Sequence, residues 1–390
     1  MFSSRLDWGA APNRLSSLLE RRRAAGLPVL DLTESNPTRA GGLSPGAEIL
    51  EALAGPASLL YEPSPLGALP AREAVSAYYA QHGHDVDPGR ILLTASTSEA
   101  YAYAFKLLCE PGDEVLVPRP SYPLFEFLAR LENVRIVHYP LVYHGRWQVD
   151  FDALESAAGP RTRAVAIVNP NNPTGSFLKR HELPRLAALC RSRQLAIIAD
   201  EVFADYAFAP DPERVSTIAG RDEALVLSFS GLSKIAALPQ MKLGWIVAGG
   251  PPELCSRALG GLELIADTYL SVSAPVQHAA PHLLAAGASA RARVCARVSE
   301  NLAWLRTAIA GSALGVLDVE GGWYATLRLP RTRSEEEWTL AFLDHDGVLV
   351  QPGYFFDFES EAFIVLSLLT VPETFREGVA RLLARVSASL

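Results

Sequence analysis

Lys234 closes the run ALVLSFSGLSK, an apolar, strand-like stretch that ends in small residues and then one lysine. A lysine at the mouth of a buried strand loses hydration, which favours its neutral, nucleophilic form, and a neutral amine can condense with an aldehyde. Taken alone, a lysine is more often a solvated surface charge. Four further segments place polar groups in the same kind of position. In LAIIADEVFADY, Asp200 follows an apolar run, so its carboxylate is poorly solvated and needs a cationic partner, which a salt bridge, a helix cap or a protonated ring nitrogen could supply. In AVAIVNPNNPTG, residues Asn169 to Gly175 form a turn stiffened by prolines. Asn172 can aim an amide at a ligand oxygen there, although turn chemistry alone accounts for much of the composition. LLTASTSEAYAYAFKLL ends a strand at a helix start. Ser96 and Glu99 fit an S-x-x-E capping box, and free amides with the hydroxyls of Ser96, Thr97 and Ser98 make an anion cup, against which Glu99 adds negative charge. PRPSYPLFEF offers Tyr122, between two prolines, to stack on a flat ring.

The elements that must position these groups can be read from the surrounding pattern. Between Arg90 and Gly250, seven β-rich runs alternate with helical stretches: RILLTAS, DEVLVPRP, VRIVHYPL, RAVAIVNP, LAIIADEVF, ALVLSFS and KLGWIVAGG. The expected fold class is α/β, with a mostly parallel seven-stranded sheet covered on both faces and a ligand site at the carboxyl ends of its strands. Past residue 285, a helical pattern, the strands GVLDVEGGWYATLRL, HDGVLVQPG and FIVLSLLT, and a final amphipathic helix predict a smaller α+β domain. The expected division is therefore 1–45, an N-terminal segment packing with the small domain; 46–285, the large domain; and 286–390, the small domain. The charge runs Arg21 to Arg23 and Glu335 to Glu337 are expected to be solvated helix faces.

Composition excludes several alternatives. The 390 residues are 49% hydrophobic and 20% charged, which is globular, and a formal charge of -8 with scattered basic residues gives no footprint for nucleic acid. Cys109, Cys190, Cys255 and Cys295 lie far apart with no metal-ligand spacing, so neither a metal site nor a disulfide framework is expected. No signal-peptide core and no bilayer-length apolar run occurs, which makes the cytoplasm the expected address and a membrane partner unexpected.

An amine that condenses with an aldehyde, an acid for a ring nitrogen, an amide for a phenolic oxygen and a phosphate cup together suit pyridoxal 5'-phosphate. In the order phosphate cup, stacking aromatic, amide turn, acid and then lysine along the chain, the segments resemble those of the class I/II aminotransferases of fold type I. The blocks NPNNPTG, DEVF after IIA, SGLSK followed by PQMKLGW, and YEPSPLGALPAREAV carry the resemblance. It implies that Lys234 holds the cofactor and acts as general base, Asp200 pairs with the ring nitrogen, Asn172 contacts the phenolic oxygen and Tyr122 stacks on the ring. Ser96, Thr97 and Ser98 would meet the phosphate, with Ser230, Ser233 and Lys242 as further cofactor contacts. Tyr61 would reach the phosphate from a neighbouring subunit, so a homodimer with shared sites is implied. The activity implied is ping-pong transfer of an amino group between an amino acid or amine and a keto acid.

Three positions depart from the family pattern. Phe203 stands where a tyrosine is usual, removing one donor to the phenolic oxygen and raising the expected pKa of the lysine–cofactor imine. Lys242 stands where an arginine usually grips the phosphate. Val365, in FIVLS, stands where an arginine usually forks onto the substrate carboxylate. Either another group replaces that arginine, with Arg39 in the SNPTR loop as the candidate beside Ser35 and Tyr354, or the substrate carries no carboxylate there. A β-lyase, or a weakly active protein that binds the cofactor, are the competing readings. A cofactor-binding transcription factor would need a DNA-binding domain for which the first 45 or so residues leave no room.

Overall fold

Fourteen strands form three sheets in a computed structural model that describes residues 2–8 and 13–389. Residues 1, 9–12 and 390, which belong to the two terminal segments delimited above, lie outside the described residues. In chain order the strands are β1 (Leu30–Asp31), β2 (Ile91–Thr94), β3 (Glu114–Arg119), β4 (Arg135–Tyr143), β5 (Trp147–Val149), β6 (Thr162–Val168), β7 (Ala196–Asp200), β8 (Val226–Gly231), β9 (Gly244–Gly249), β10 (Gly315–Val316), β11 (Tyr324–Arg328), β12 (Val348–Leu349), β13 (Gln351–Pro352) and β14 (Phe363–Ser367).

The large sheet runs β2-β9-β8-β7-β6-β3-β4-β5 and has eight strands rather than the seven expected. The extra strand is β5, which folds back antiparallel on the end of β4 at the sheet edge. Pairings from β4 through β3, β6 and β7 to β8 are parallel, and β9 is antiparallel between β8 and β2. Alternation along these strands divides their side chains between two cores. Val115, Val117, Ala164, Ala166, Ile198, Leu227 and Phe229 pack under the helices Thr97–Leu108 and Pro252–Tyr269. Leu116, Val165, Ile167, Ile197 and Val226 pack on the other face, under Phe151–Ala157 and Glu182–Arg193. Burial on both faces explains why the sequence of each strand is a continuous apolar run.

The smaller sheet is antiparallel, in the order β10-β11-β14-β13. Ala325, Leu327, Ile364 and Leu366 face a core shared with Val298, Leu302 and Leu305 of helix Ala274–Ala308 and with Phe375, Val379 and Leu382 of helix Pro372–Ser387. Leu32, Ala40 and Leu43 of the N-terminal segment join that core, and β1 pairs with β12. Helix Ala274–Ala308 is continuous through residues 285 and 286; Leu283 packs with the large sheet and Ala290 with the small one.

The acidic run at 335–337 departs from expectation. Ser334 and Glu337 form a capping box at the start of helix Glu335–Asp346, but Glu335 is buried and accepts from the amides of Tyr354 (2.8 Å) and Phe363 (2.7 Å). Its carboxylate ties the segment before β14 to the helix start, and it is not a solvated face. In the basic run, Arg21 and Arg23 are exposed while Arg22 donates to the carbonyl of Asp344. All four cysteines are free thiols, with Cys190 and Cys255 buried and the other two half-buried.

Candidate active site

Strands β2, β3, β6, β7 and β8 point the same way, so the segments that follow Thr94, Arg119, Val168, Asp200 and Gly231 emerge along one edge of the sheet. Those segments carry Ser96, Tyr122, Asn172, Asp200 itself and Lys234. Close backbone approach at this edge depends on glycine. A Cβ on Gly244 would lie 3.1 Å from Ser230 O and 3.1 Å from the carbonyl carbon of Ser96, and one on Gly231 would lie 2.9 Å from Gly244 Cα.

Asp200 is the last residue of β7 and is buried. Tyr101 Oη donates to its Oδ2 at 3.2 Å and the Val202 amide donates to its Oδ1 at 3.2 Å. Burial still dominates and pushes the carboxyl up to about 6, with Val202, Tyr101 and the positive charge of Lys234 pulling it down. Lys234 belongs to the single turn of helix Leu232–Ile235 after β8. Part of the residue stays accessible, yet the protein packed around the amine lowers its pKa, against the opposing pull of Asp200. Its Nζ lies 5.1 Å from the ring centre of Trp323 and 5.6 Å from that of Phe203. Tyr206, on the turn after β7, donates from Oη to the Lys234 carbonyl at 2.6 Å and fixes the backbone from which the amine extends.

Around this pair the other residues fall into distinct places. Ser96 caps helix Thr97–Leu108, accepting from the Glu99 amide at 3.2 Å, and Ser96, Thr97 and Ser98 are half-buried. The Glu99 carboxylate turns back to accept from Ala95 N (2.6 Å) and Ser271 Oγ (2.6 Å), which partly neutralises the objection that it would repel an anion at this helix start. Asn172 is buried, and its Oδ1 has no hydrogen-bond partner. Tyr122 is 41% exposed, and its phenol is raised by burial and then by the Asp200 charge. Ser233 is half-buried beside Lys234, and Lys242 is exposed in a left-handed conformation with φ 52°.

Some residues lie apart. The Ser230 side chain, with no hydrogen-bond partner, lines a cavity of about 130 Å³ with Tyr78, Tyr79, Glu201, Asp205 and Thr217 rather than joining Ser96. Tyr61 is 79% exposed, lining a surface cavity with Tyr103 and Leu270. Arg39 is exposed, and Tyr354 is 41% exposed on the short turn Gly353–Phe356. Ser35 meets the Tyr324 phenol, which is pushed up to about 12 by burial and is also influenced by Tyr122 and Glu34. Val365 is fully buried, in register with Thr326 and Gln351, on the same face of β14 as Ser367.

Tyr101 and Trp323 were missed by the sequence reading. Tyr101 lies one turn into the helix whose start had been singled out, so a helical projection from Ser96 could have found it. Trp323 approaches from just ahead of β11 in the smaller sheet, where only tertiary structure brings residues 321 and 207 into a bridge.

These groups can be compared with what pyridoxal phosphate requires. A buried carboxylate with one nearby cation, a buried amide, a half-buried amine of lowered pKa and a capped helix start at one sheet edge are the right chemical groups for it. A family model described as aminotransferase class I and II matches residues 28–382. The chain belongs to that family. Among class I and II aminotransferases, it is 32% identical over 262 residues to the glutamate-pyruvate aminotransferase AlaA of Escherichia coli, covering 67% of this chain and 64% of the relative. It is 34% identical over 266 residues to an alanine aminotransferase of Mycobacterium tuberculosis, covering 66% of this chain and 61% of the relative. In both cases the match spans less than two thirds of the relative. The fold extends further: an aminotransferase structure from Escherichia coli superposes with a TM-score of 0.86 over 99% of this chain and 98% of that one, at 26% identity. The alanine aminotransferase from Pyrococcus furiosus superposes with a TM-score of 0.87 over 100% of both chains at 22% identity, a likeness of fold.

Proposed function

We propose that this class I/II aminotransferase family member is a pyridoxal-phosphate-dependent transaminase that moves an amino group between an amino acid or amine and a keto acid by ping-pong turnover. The observation that carries the reading is the pairing of a pKa-lowered Lys234 with a buried Asp200 at the carboxyl ends of adjacent strands. When bound, the cofactor supplies an aldehyde carbon to carry the amino group and a ring to accept the electron pair of the broken C–H bond. Lys234 Nζ would hold that aldehyde carbon covalently. Once displaced by the incoming amine, it would take the proton from the amine-bearing carbon and return it one position along. Burial of Lys234 serves this role, because it lowers the pKa of the amine and so favours the neutral form that acts as nucleophile and base.

Asp200 would pair with the protonated ring nitrogen, held in place by Tyr101 and the Val202 amide. Asn172 would take the phenolic oxygen and Tyr122 would cover the ring, while Ser96, Thr97, Ser98, Ser233 and Lys242 would surround the phosphate. Tyr61 would act from a second copy of the chain, which its exposure allows. The division into a large domain at 46–285 and a small domain at 286–390, with 1–45 docked on the latter, fits the two cores that meet along helix Ala274–Ala308. No helix among the described residues is long and apolar enough to cross a membrane, and a cytoplasmic location is proposed.

The donor class turns on the small-domain side, where Val365 is aliphatic and Arg39 is exposed. Absorbance of the cofactor-loaded protein should be followed while matched donors, L-phenylalanine and 2-phenylethylamine or L-alanine and ethylamine, are added without acceptor. Loss of the visible band to the near-ultraviolet band of the amine form supports transamination. Conversion by the amino acids alone, abolished in Arg39→Ala, assigns the carboxylate to Arg39; conversion by the amines assigns a donor without one. Release of pyruvate and ammonia from a β-substituted amino acid, with no conversion by any donor, would replace transamination by elimination.

A further inference from the structure

Lys234 does not hang free beside Asp200. Its amine lies over two aromatic rings that come from different parts of the fold: Phe203, on the turn after β7, at 5.6 Å, and Trp323, just ahead of β11 in the small sheet, at 5.1 Å. Both rings are buried, Phe203 with 4% of its surface exposed and Trp323 with none, so neither swings freely. They brace each other edge to face at 5.3 Å and 70°. Tyr206 braces Trp323 in turn, at 5.2 Å and 75°, while its hydroxyl holds the Lys234 carbonyl. The amine and its backbone are thus fixed by one packed aromatic group. Across that group, the carbonyl of Trp323 accepts from the Leu368 amide at 2.7 Å, and the carbonyl of Tyr206 accepts from Gly322 N at 2.9 Å, so the small sheet and the turn after β7 are locked together around it.

A ring face attracts an ammonium through its quadrupole and does not attract a neutral amine. We propose that Phe203 and Trp323 are positioning residues for Lys234, holding its amine at a fixed place against two ring faces and favouring its charged form each time it has accepted a proton. The inference rests on Lys234 being the reactive amine proposed above. A base in this site faces two needs: burial shifts it toward the neutral form that attacks, and the rings support the cation it becomes after taking a proton. Charge from other elements is limited. Asp200, from β7, is the charged group that acts on the amine; Arg291, on helix Ala274–Ala308, donates to the Ile235 carbonyl at 3.2 Å and is paired with Asp205 at 3.2 Å. Phe203 therefore does more than lack a hydroxyl, because its ring belongs to the setting of the lysine itself.

The test is competitive acetylation of the full chain prepared free of cofactor, across pH, with mass spectrometry reading Lys234 against the exposed Lys242 as internal standard. Phe203→Leu and Trp323→Leu each remove one ring; Phe203→Tyr and Trp323→Phe keep it. The pH of half-reactivity at Lys234 should move down by about half a unit in each leucine variant and by less than about 0.2 unit in the ring-retaining ones, the size expected for one cation–π contact. An unchanged or higher half-reactivity pH in Phe203→Leu, the milder substitution, would overturn the proposal even if Trp323→Leu fails to fold. In the loaded protein, kcat should fall in the leucine variants with little change in KM. A labelling shift without any transaminase turnover would leave the ring contact standing and remove the proposed function; turnover without the labelling shift would do the reverse.

Discussion

Asp200 carries an electrostatic cost that can be measured without a substrate. Its carboxyl is raised from 3.8 to about 6 in the folded chain, chiefly by burial, so folding takes up a proton between those values. The cofactor-free protein therefore loses stability as pH climbs through that window, and the full penalty is present above it. Asp200→Asn removes the charge, so the cofactor-free variant should be more stable than the parent at pH 7, by up to about 3 kcal/mol, with the gap closing near pH 4. Urea melts at the two pH values check this, and an equal gap at both would count against it. Lys234 carries the opposite sign: its amine is protonated more readily when unfolded, so its burial costs stability near neutrality and that cost fades as pH rises toward 10.5. Such penalties at a sheet edge are what a site built to bind a charged ligand should show. The identities of Lys234, Asp200 and Asn172 as candidates were legible because each is a polar residue closing an apolar run. Trp323 was not, since its neighbours in sequence, GGWY, read as a turn entering a strand and its approach to Lys234 is purely tertiary.

The elements that hold these residues differ in how local their causes are. Seven strands of the large sheet could be read from the sequence because burial on both faces makes each an unbroken apolar run. β5 was invisible because three residues, one of them the exposed Gln148, carry no such signal. Glu335 was misread for a related reason: a run of acids is solvated by default, and only the return of the chain at Tyr354 and Phe363 supplies two amides to a carboxylate at the helix start. Another long-range tie joins the segment after NPNNPTG to the approach to β11. Lys179 and Glu320 form a buried ion pair there, with Arg214 Nε 3.3 Å from the same carboxylate. The turn itself ends on Gly175, at φ 69°, where a Cβ would lie 2.5 Å from the Gly321 carbonyl oxygen. Lys179→Met should cost about 3 kcal/mol, because a buried carboxylate loses its principal cation. The midpoint of a chemical melt reports it, and a change below about 0.5 kcal/mol would show that Arg214 suffices for Glu320.

For the molecule as a whole, the proposed site would be completed by a second copy: Tyr61 is 79% exposed, and Leu59 (88%), Leu60 (58%), Leu264 (72%) and Tyr269 (53%) are exposed as well. We propose that a second copy covers these large apolar side chains. Light scattering should give about twice the chain mass of 42.1 kDa. Leu264→Glu should shift the mass toward one chain and weaken cofactor retention together; a parent protein of single-chain mass would remove Tyr61 from the site. The chain holds four lysines, Lys106, Lys179, Lys234 and Lys242, against a majority of arginines among its basic residues. Lys106 is paired with Glu132 at 2.6 Å, Lys179 is buried against Glu320 and Lys242 is exposed, so the candidates for a covalent link are few and structurally distinct. The most direct measurement is borohydride reduction of the protein loaded with pyridoxal phosphate, followed by digestion and mass spectrometry. Label on Lys234 alone is the expected result; label on Lys106, Lys179 or Lys242 in its place, or a protein that takes up no label, would contradict the assignment of Lys234 as the reactive amine.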